Sequence, residues 1–210
     1  MSHESPWEEH FGSRENQVKA AQLGMWIFLA SEVLLFASLF TGYAYYRHSY
    51  PEVFREGSHH LEAVAATVQT LLLVTSSLLV ALAVRYARQG RRVVVGGMLV
   101  GAMLMGAGFL AIKGWEYWKH AMEGALPGEY YHFEKLAVQG GSLFYTVYYL
   151  LTGLHAVHML VGLGVLGWLA FQAVSGRYTS EYHTPIEVGG LYWHLVDIFW
   201  LFIYPLLYLI

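Results

Sequence analysis

The sequence lacks cysteine altogether and is poor in charge: none of its 210 residues is Cys, and 13% are Asp, Glu, Lys or Arg. Without thiols the chain cannot form disulfides, thiolate zinc sites, iron–sulfur clusters or a cysteine nucleophile. Neither sign of charge predominates. With 12 Lys and Arg against 15 Asp and Glu there is no basic surface for nucleic acid, and nucleic-acid binding is excluded. What the chain has instead is apolar mass. Hydrophobic residues make up 56% and aromatic ones 16%, a composition foreign to a water-soluble domain.

A bilayer core about 30 Å thick is crossed by roughly 20 apolar residues in a helix. Five stretches reach that length, Leu23–Tyr46, Ala63–Val84, Val93–Gly114, Ser142–Phe171 and Val188–Ile210. The expected fold is therefore all-α, a polytopic membrane protein with five transmembrane helices in one bundle and a single domain. The polar, acidic start does not match the basic-then-apolar pattern of a cleaved signal peptide, so the first span is expected to act as its own insertion signal. Five spans fit poorly with the paired halves from which many transporters are built.

Short cytoplasmic loops hold excess Lys and Arg. Arg85, Arg88, Arg91 and Arg92 crowd the link between the second and third spans, which places that link inside. The N-terminus, with Arg14 and Lys19, and the loop with Arg177 follow it, and Ile210 faces outward. Seven positive residues then lie inside and five outside, Arg47, Arg55, Lys113, Lys119 and Lys135. The longest link, Trp115–Gly141, carries Glu116, Tyr117, Trp118, His120, Tyr130, Tyr131 and His132, and reads as a solvated loop with aromatics at the membrane interface. Spans three and four are rich in glycine, including a GxxxG pair at Gly97 and Gly101. Small residues permit close backbone approach, within this chain or against another.

An ionisable group at the bilayer centre costs about 2.5–3.5 kcal/mol on the insertion scale, and such groups are functional candidates by default. Glu32 lies mid-span in LASEVLLF, His155 and His158 in TGLHAVHMLVG, and His194 and Asp197 in LYWHLVDIFW. Lys113 and Glu116 mark the outer edge of the third span. Three-residue spacing puts Asp197 on one face with His194, where a carboxylate can accept an imidazole N–H, so the pair is expected to satisfy itself. Glu32 has no such partner in its own helix. It either clamps two helices or exchanges protons, and as a neutral buried acid it would react with hydrophobic carbodiimides. His155 and His158 could ligate a metal or haem, but a two-haem cytochrome b needs histidines paired at matched depths, and a di-iron site needs several Glu-x-x-His ligands. Neither set is present, and hydrogen bonding between helices is the expected use.

Together, SEVLLF, GWEY, TGLHAVHMLVG and YWHLVDIFWLFIY resemble, in order and spacing, subunit III of the haem–copper respiratory oxidases, from about Gln22 to the C-terminus. The resemblance implies an accessory subunit of a proton-pumping terminal oxidase in the bacterial cytoplasmic membrane. It would pack on subunit I in a complex with subunit II and other subunits, and within a larger respiratory assembly where one forms. Haem and copper would sit in partner subunits, with no cofactor or metal in this chain apart from bound phospholipid. Phospholipid would lie in a cleft between helices, and the subunit would sustain rapid proton uptake. The family's carbodiimide-reactive glutamate maps onto Glu32, and Trp193, Trp200 and Arg177 become candidates for lipid or partner contact. Cytochrome c is the expected electron donor. A quinol oxidase, a nitric-oxide reductase accessory chain, or a membrane cytochrome or transporter using the histidines and Asp197 directly are the alternatives. Two departures stand out. Longer members have seven spans, so the lipid cleft here needs a wall from another chain. Some members carry a phosphate-binding arginine where this sequence has Gln172, for which Arg177 could substitute.

Overall fold

A computed structural model describes residues 13–133 and 141–210; the acidic start of the chain and Lys135 lie outside the described residues. The helices are α1 (Arg14–Ser49), α2 (Pro51–His59), α3 (Ala63–Arg88), α4 (Arg92–Met122), α5 (Gly141–Val174) and α6 (Thr184–Tyr208). All but α2 are long and apolar enough to cross a membrane, as expected from the five apolar stretches. Helix ends differ from the expected ones. The third span continues eight residues past Gly114 to Met122, so Trp115–Met122 is helix rather than loop.

Helices α3, α4, α5 and α6 form a ring of neighbours, with α6 closing it against both α3 and α5. Trp193 of α6 is the hub. Its ring is fully buried, and a Cβ built on Gly162 of α5 or Gly106 of α4 would lie 2.8 Å from it. Only glycine on both helices leaves room for the indole. Its Nε1 donates to Ser76 Oγ of α3 at 2.9 Å, and Ser76 donates to the Ala102 carbonyl of α4 at 3.1 Å. One side chain thereby joins four helices. Gly97 of the GxxxG pair does not share in this packing: among the described residues a Cβ there would meet nothing within 4 Å.

Helix α1 lies outside the ring, against α6 and, more lightly, α5. Its buried residues are Leu29, Phe36 and Tyr43, spaced by seven, with Glu32 and Leu39 between them on the same face. This a/d spacing gives a narrow seam and leaves most of the helix open. Phe36 stacks on Phe199 of α6 with centroids 3.8 Å apart, and Tyr43 donates to the Leu206 carbonyl. The short α2, absent from the sequence expectation, starts at Pro51 and buries Val53 and Phe54. Phe54 meets Tyr43 of α1 and Phe144 of α5 edge-on, each at 5.5 Å, so α2 ties the end of α1 to α5.

Candidate functional site

The polar residues of the family-like motifs fall into three groups along the bundle. The first joins α1 to α5. His158 Nδ1 lies 2.8 Å from the Leu154 carbonyl and Nε2 lies 2.7 Å from Glu32 Oε2. A carbonyl only accepts, so Nδ1 holds a proton. The Nε2–Oε2 contact then needs one further proton, placed on either atom. Glu32 is thus hydrogen-bonded across helices. Phe36 meets the same imidazole edge-on at 5.3 Å, and Tyr192 of α6 donates to the His158 carbonyl at 3.1 Å.

The second group is centred on Lys113 and Glu116. Expected at the edge of the membrane, both are inside the protein, 2% and 3% exposed. Lys113 Nζ donates to Glu116 Oε2 and to Tyr208 Oη, both at 2.7 Å. Glu116 Oε1 also accepts from Tyr208 at 2.7 Å and from Tyr148 at 2.9 Å. Lys113 Nζ lies 4.8 Å from the Trp200 ring centroid. This closed network binds α4, α5 and α6, and its hydrogen bonds offset the cost of burying two charges. Trp200 Nε1 donates to Thr70 Oγ1 of α3 at 3.0 Å, drawing in the fourth helix.

The third group corrects an expectation. His194 and Asp197 do not bond each other. His194 Nδ1 is 2.6 Å from Ser77 Oγ of α3, and that same hydroxyl is the donor beside Asp197, whose carboxyl oxygens have no partner in good hydrogen-bond geometry among the described residues. A serine on another helix outcompetes the i, i+3 carboxylate, and the pattern of one helix cannot show this.

Three more residues depart from expectation. His155 is fully buried between Phe109 and Trp200, at 5.4 and 5.3 Å, and among the described residues neither of its nitrogens has a hydrogen-bond partner. Trp193 and Trp200 are both fully buried, so their rings are not available to lipid or a partner. Arg177 is exposed in the loop between α5 and α6, and Gln172 is half-buried in α5. Among the described residues no three His, Asp or Glu side chains converge as metal ligands would. Sequence reasoning missed Tyr148 and Tyr208, the hydroxyl donors to Glu116; their signal was a tyrosine at the depth of a buried acid.

The cytochrome c oxidase subunit III family model matches residues 6–210. The chain belongs to the cytochrome c oxidase subunit III family. It is 30% identical to cytochrome c oxidase subunit 3 of Thermostichus vulcanus over 90% of this chain and 86% of that one. It is 26% identical to the probable quinol oxidase subunit 3 of Staphylococcus haemolyticus over 100% of this chain and 97% of that one. A haem–copper oxidase subunit I+III of Aeropyrum pernix is 26% identical over 96% of this chain, which spans 24% of that larger protein. Among subunits III, then, this chain resembles both cytochrome c and quinol oxidase members. The fused relative carries subunits I and III in one polypeptide, which implies that a subunit III associates with subunit I.

Proposed function

We propose that the chain is a non-catalytic accessory subunit of a proton-pumping cytochrome c oxidase, docked on subunit I with subunit II in the same complex. The observation that carries this reading is the family match across the chain together with the fused I+III relative. The buried acids support it: Glu32 and Glu116 each end on a neighbouring helix, as groups that fix helix packing do. Haem and copper belong to the partner chains in this reading. In native membranes, a tagged copy of the chain extracted in mild detergent carries subunit I and its haem absorption with it. Recovery of the chain without any haem protein refutes the proposal. Turnover with reduced cytochrome c against turnover with quinol decides the electron donor.

The subunit also holds phospholipid. Between α1, α5 and α6 runs an almost wholly apolar groove of about 290 Å³, walled by Met25, Phe28, Val161, Trp168 and Tyr192. It shares Pro185 and Val188 with a second cavity of about 240 Å³ that reaches Gln17 and Tyr182 near the starts of α1 and α6. A continuous apolar trough ending at polar side chains fits an acyl chain below a headgroup, and the exposed Arg177 is the candidate for its phosphate. The N-terminus faces the cytoplasm and the C-terminus the outside, because Arg85, Arg88, Arg91 and Arg92 cluster at the α3–α4 turn. Burial of Lys113 removes one positive charge from the opposite side of that count.

A further inference from the structure

Asp197 is the one aspartate of the chain, and among the described residues the donor beside it is the Ser77 hydroxyl, which lies outside good hydrogen-bond geometry to its carboxyl oxygens and is also engaged by His194 Nδ1 at 2.6 Å. Asp197 is 5% exposed, and it forms part of the wall of a cavity of about 310 Å³ on the outer side of the α3–α6 pair, with Ser77 and His194 beside it and Val74 and Leu201 at the rim. His155 also lacks a hydrogen-bond partner among the described residues, but it is enclosed and no outside group can reach it. At Asp197 a neighbouring molecule can. His194, with Nδ1 on Ser77, contributes its imidazole to the same wall. Whether ionised or protonated, a carboxyl group in hydrocarbon with no more than one shared hydroxyl as donor costs more than a fully paired one. A second donor from outside this chain would complete it.

Depth selects what that is. Asp197 lies thirteen residues after Thr184 and eleven before Tyr208 in α6. At 1.5 Å per residue the helix ends, and with them any lipid headgroup, are about 16–20 Å away. An acyl chain carries no donor. A side chain on another membrane helix does, and the rim of the cavity is suited to receive one, with Val74, Ile198 and Leu201 between 45% and 50% exposed. We propose that the α3–α6 face is the docking surface for subunit I, and that one of its membrane helices places a hydroxyl, amide, indole or cationic donor in this cavity against Asp197. This rests on the accessory-subunit reading and adds to it the face and the polar contact.

The absence of native cysteine permits a direct test in the assembled oxidase. Val74→Cys and Leu201→Cys, each labelled with a benzophenone maleimide in native membranes, are compared on irradiation with Leu104→Cys, an exposed position on α4. Subunit I is expected in the adducts of the first two at several times the yield of the third. Equal yields from all three, or lipid adducts alone from Val74→Cys and Leu201→Cys, overturn the proposal. In parallel, Asp197→Leu lowers the share of the chain retained on purified oxidase by about tenfold, the scale of one interhelical hydrogen bond in a membrane, whereas Asp197→Asn keeps an acceptor and retains most of it. The amount of chain in the membrane is measured alongside, to separate lost docking from lost folding. Full retention of Asp197→Leu overturns the contact. A chain that carries subunit I but crosslinks to it only from Leu104→Cys overturns the choice of face alone, and a chain that carries no haem protein overturns the accessory-subunit reading as well.

Discussion

Glu32 and His158 share one proton across the gap between α1 and α5, because the other imidazole nitrogen is committed to the Leu154 carbonyl. This contact sits on a helix that touches the rest of the protein through one narrow seam and, at its end, through α2. Glu32→Ala therefore loosens α1, by about 1–2 kcal/mol for a lost partly buried hydrogen bond. Glu32→Gln can still donate from its amide to Nε2 and loses less. The check is the temperature at which the chain dissociates from the purified complex. Both variants abolish carbodiimide labelling of this chain; persistent labelling would show that another carboxyl reacts.

Lys113 and Glu116 make a pair whose value shows only when it is broken. Lys113→Met leaves a buried carboxylate with two tyrosine donors and no cation, a loss of about 3–5 kcal/mol. Lys113→Met with Glu116→Leu removes both charges and recovers much of that loss. Membrane levels and thermal dissociation of the single and double variants check this. Equal losses in both would mean that the charges themselves matter beyond their pairing.

Trp193 tests how the four-helix ring is packed. Gly162→Ala and Gly106→Ala each push a methyl group to within 2.8 Å of the indole and cost about 1–3 kcal/mol. Gly97→Ala meets nothing within 4 Å among the described residues and gains up to about 1 kcal/mol in helix propensity. Thermal unfolding in detergent ranks the three. If Gly97→Ala is the most damaging, Gly97 packs against another chain.

The proposed lipid groove predicts that Val188→Trp, which fills the trough where its two cavities join, lowers the phospholipid retained by purified complex while subunit I stays bound. Lipid content measured by mass spectrometry against protein decides this, and an unchanged content contradicts the assignment.

Much of this fold was legible from apolar run length alone, since five stretches announce five spans. The misses share one physical cause. Hydropathy scores each residue alone, so it ended the third span at Gly114, although Lys113 and Glu116 are paired inside the protein and the helix runs on to Met122. Helical spacing relates residues within one helix, so it joined His194 to Asp197 and could not see Ser77 on α3. The resemblance made Trp193 and Trp200 candidates for lipid or partner contact, but serine and threonine on α3 take both N–H groups and allow complete burial. The Glu32–His158 contact was half legible: the need for a partner on another helix followed from the sequence, its identity did not.

The account depends on the chain being a partner of a haem–copper centre and not the holder of one. Its most direct test is the visible spectrum and intact mass of the complex purified through this chain, taken before and after the chain is stripped from it. The account predicts that haem absorption stays with subunit I and that the stripped chain is colourless at its sequence mass. Haem or copper travelling with the stripped chain would contradict it.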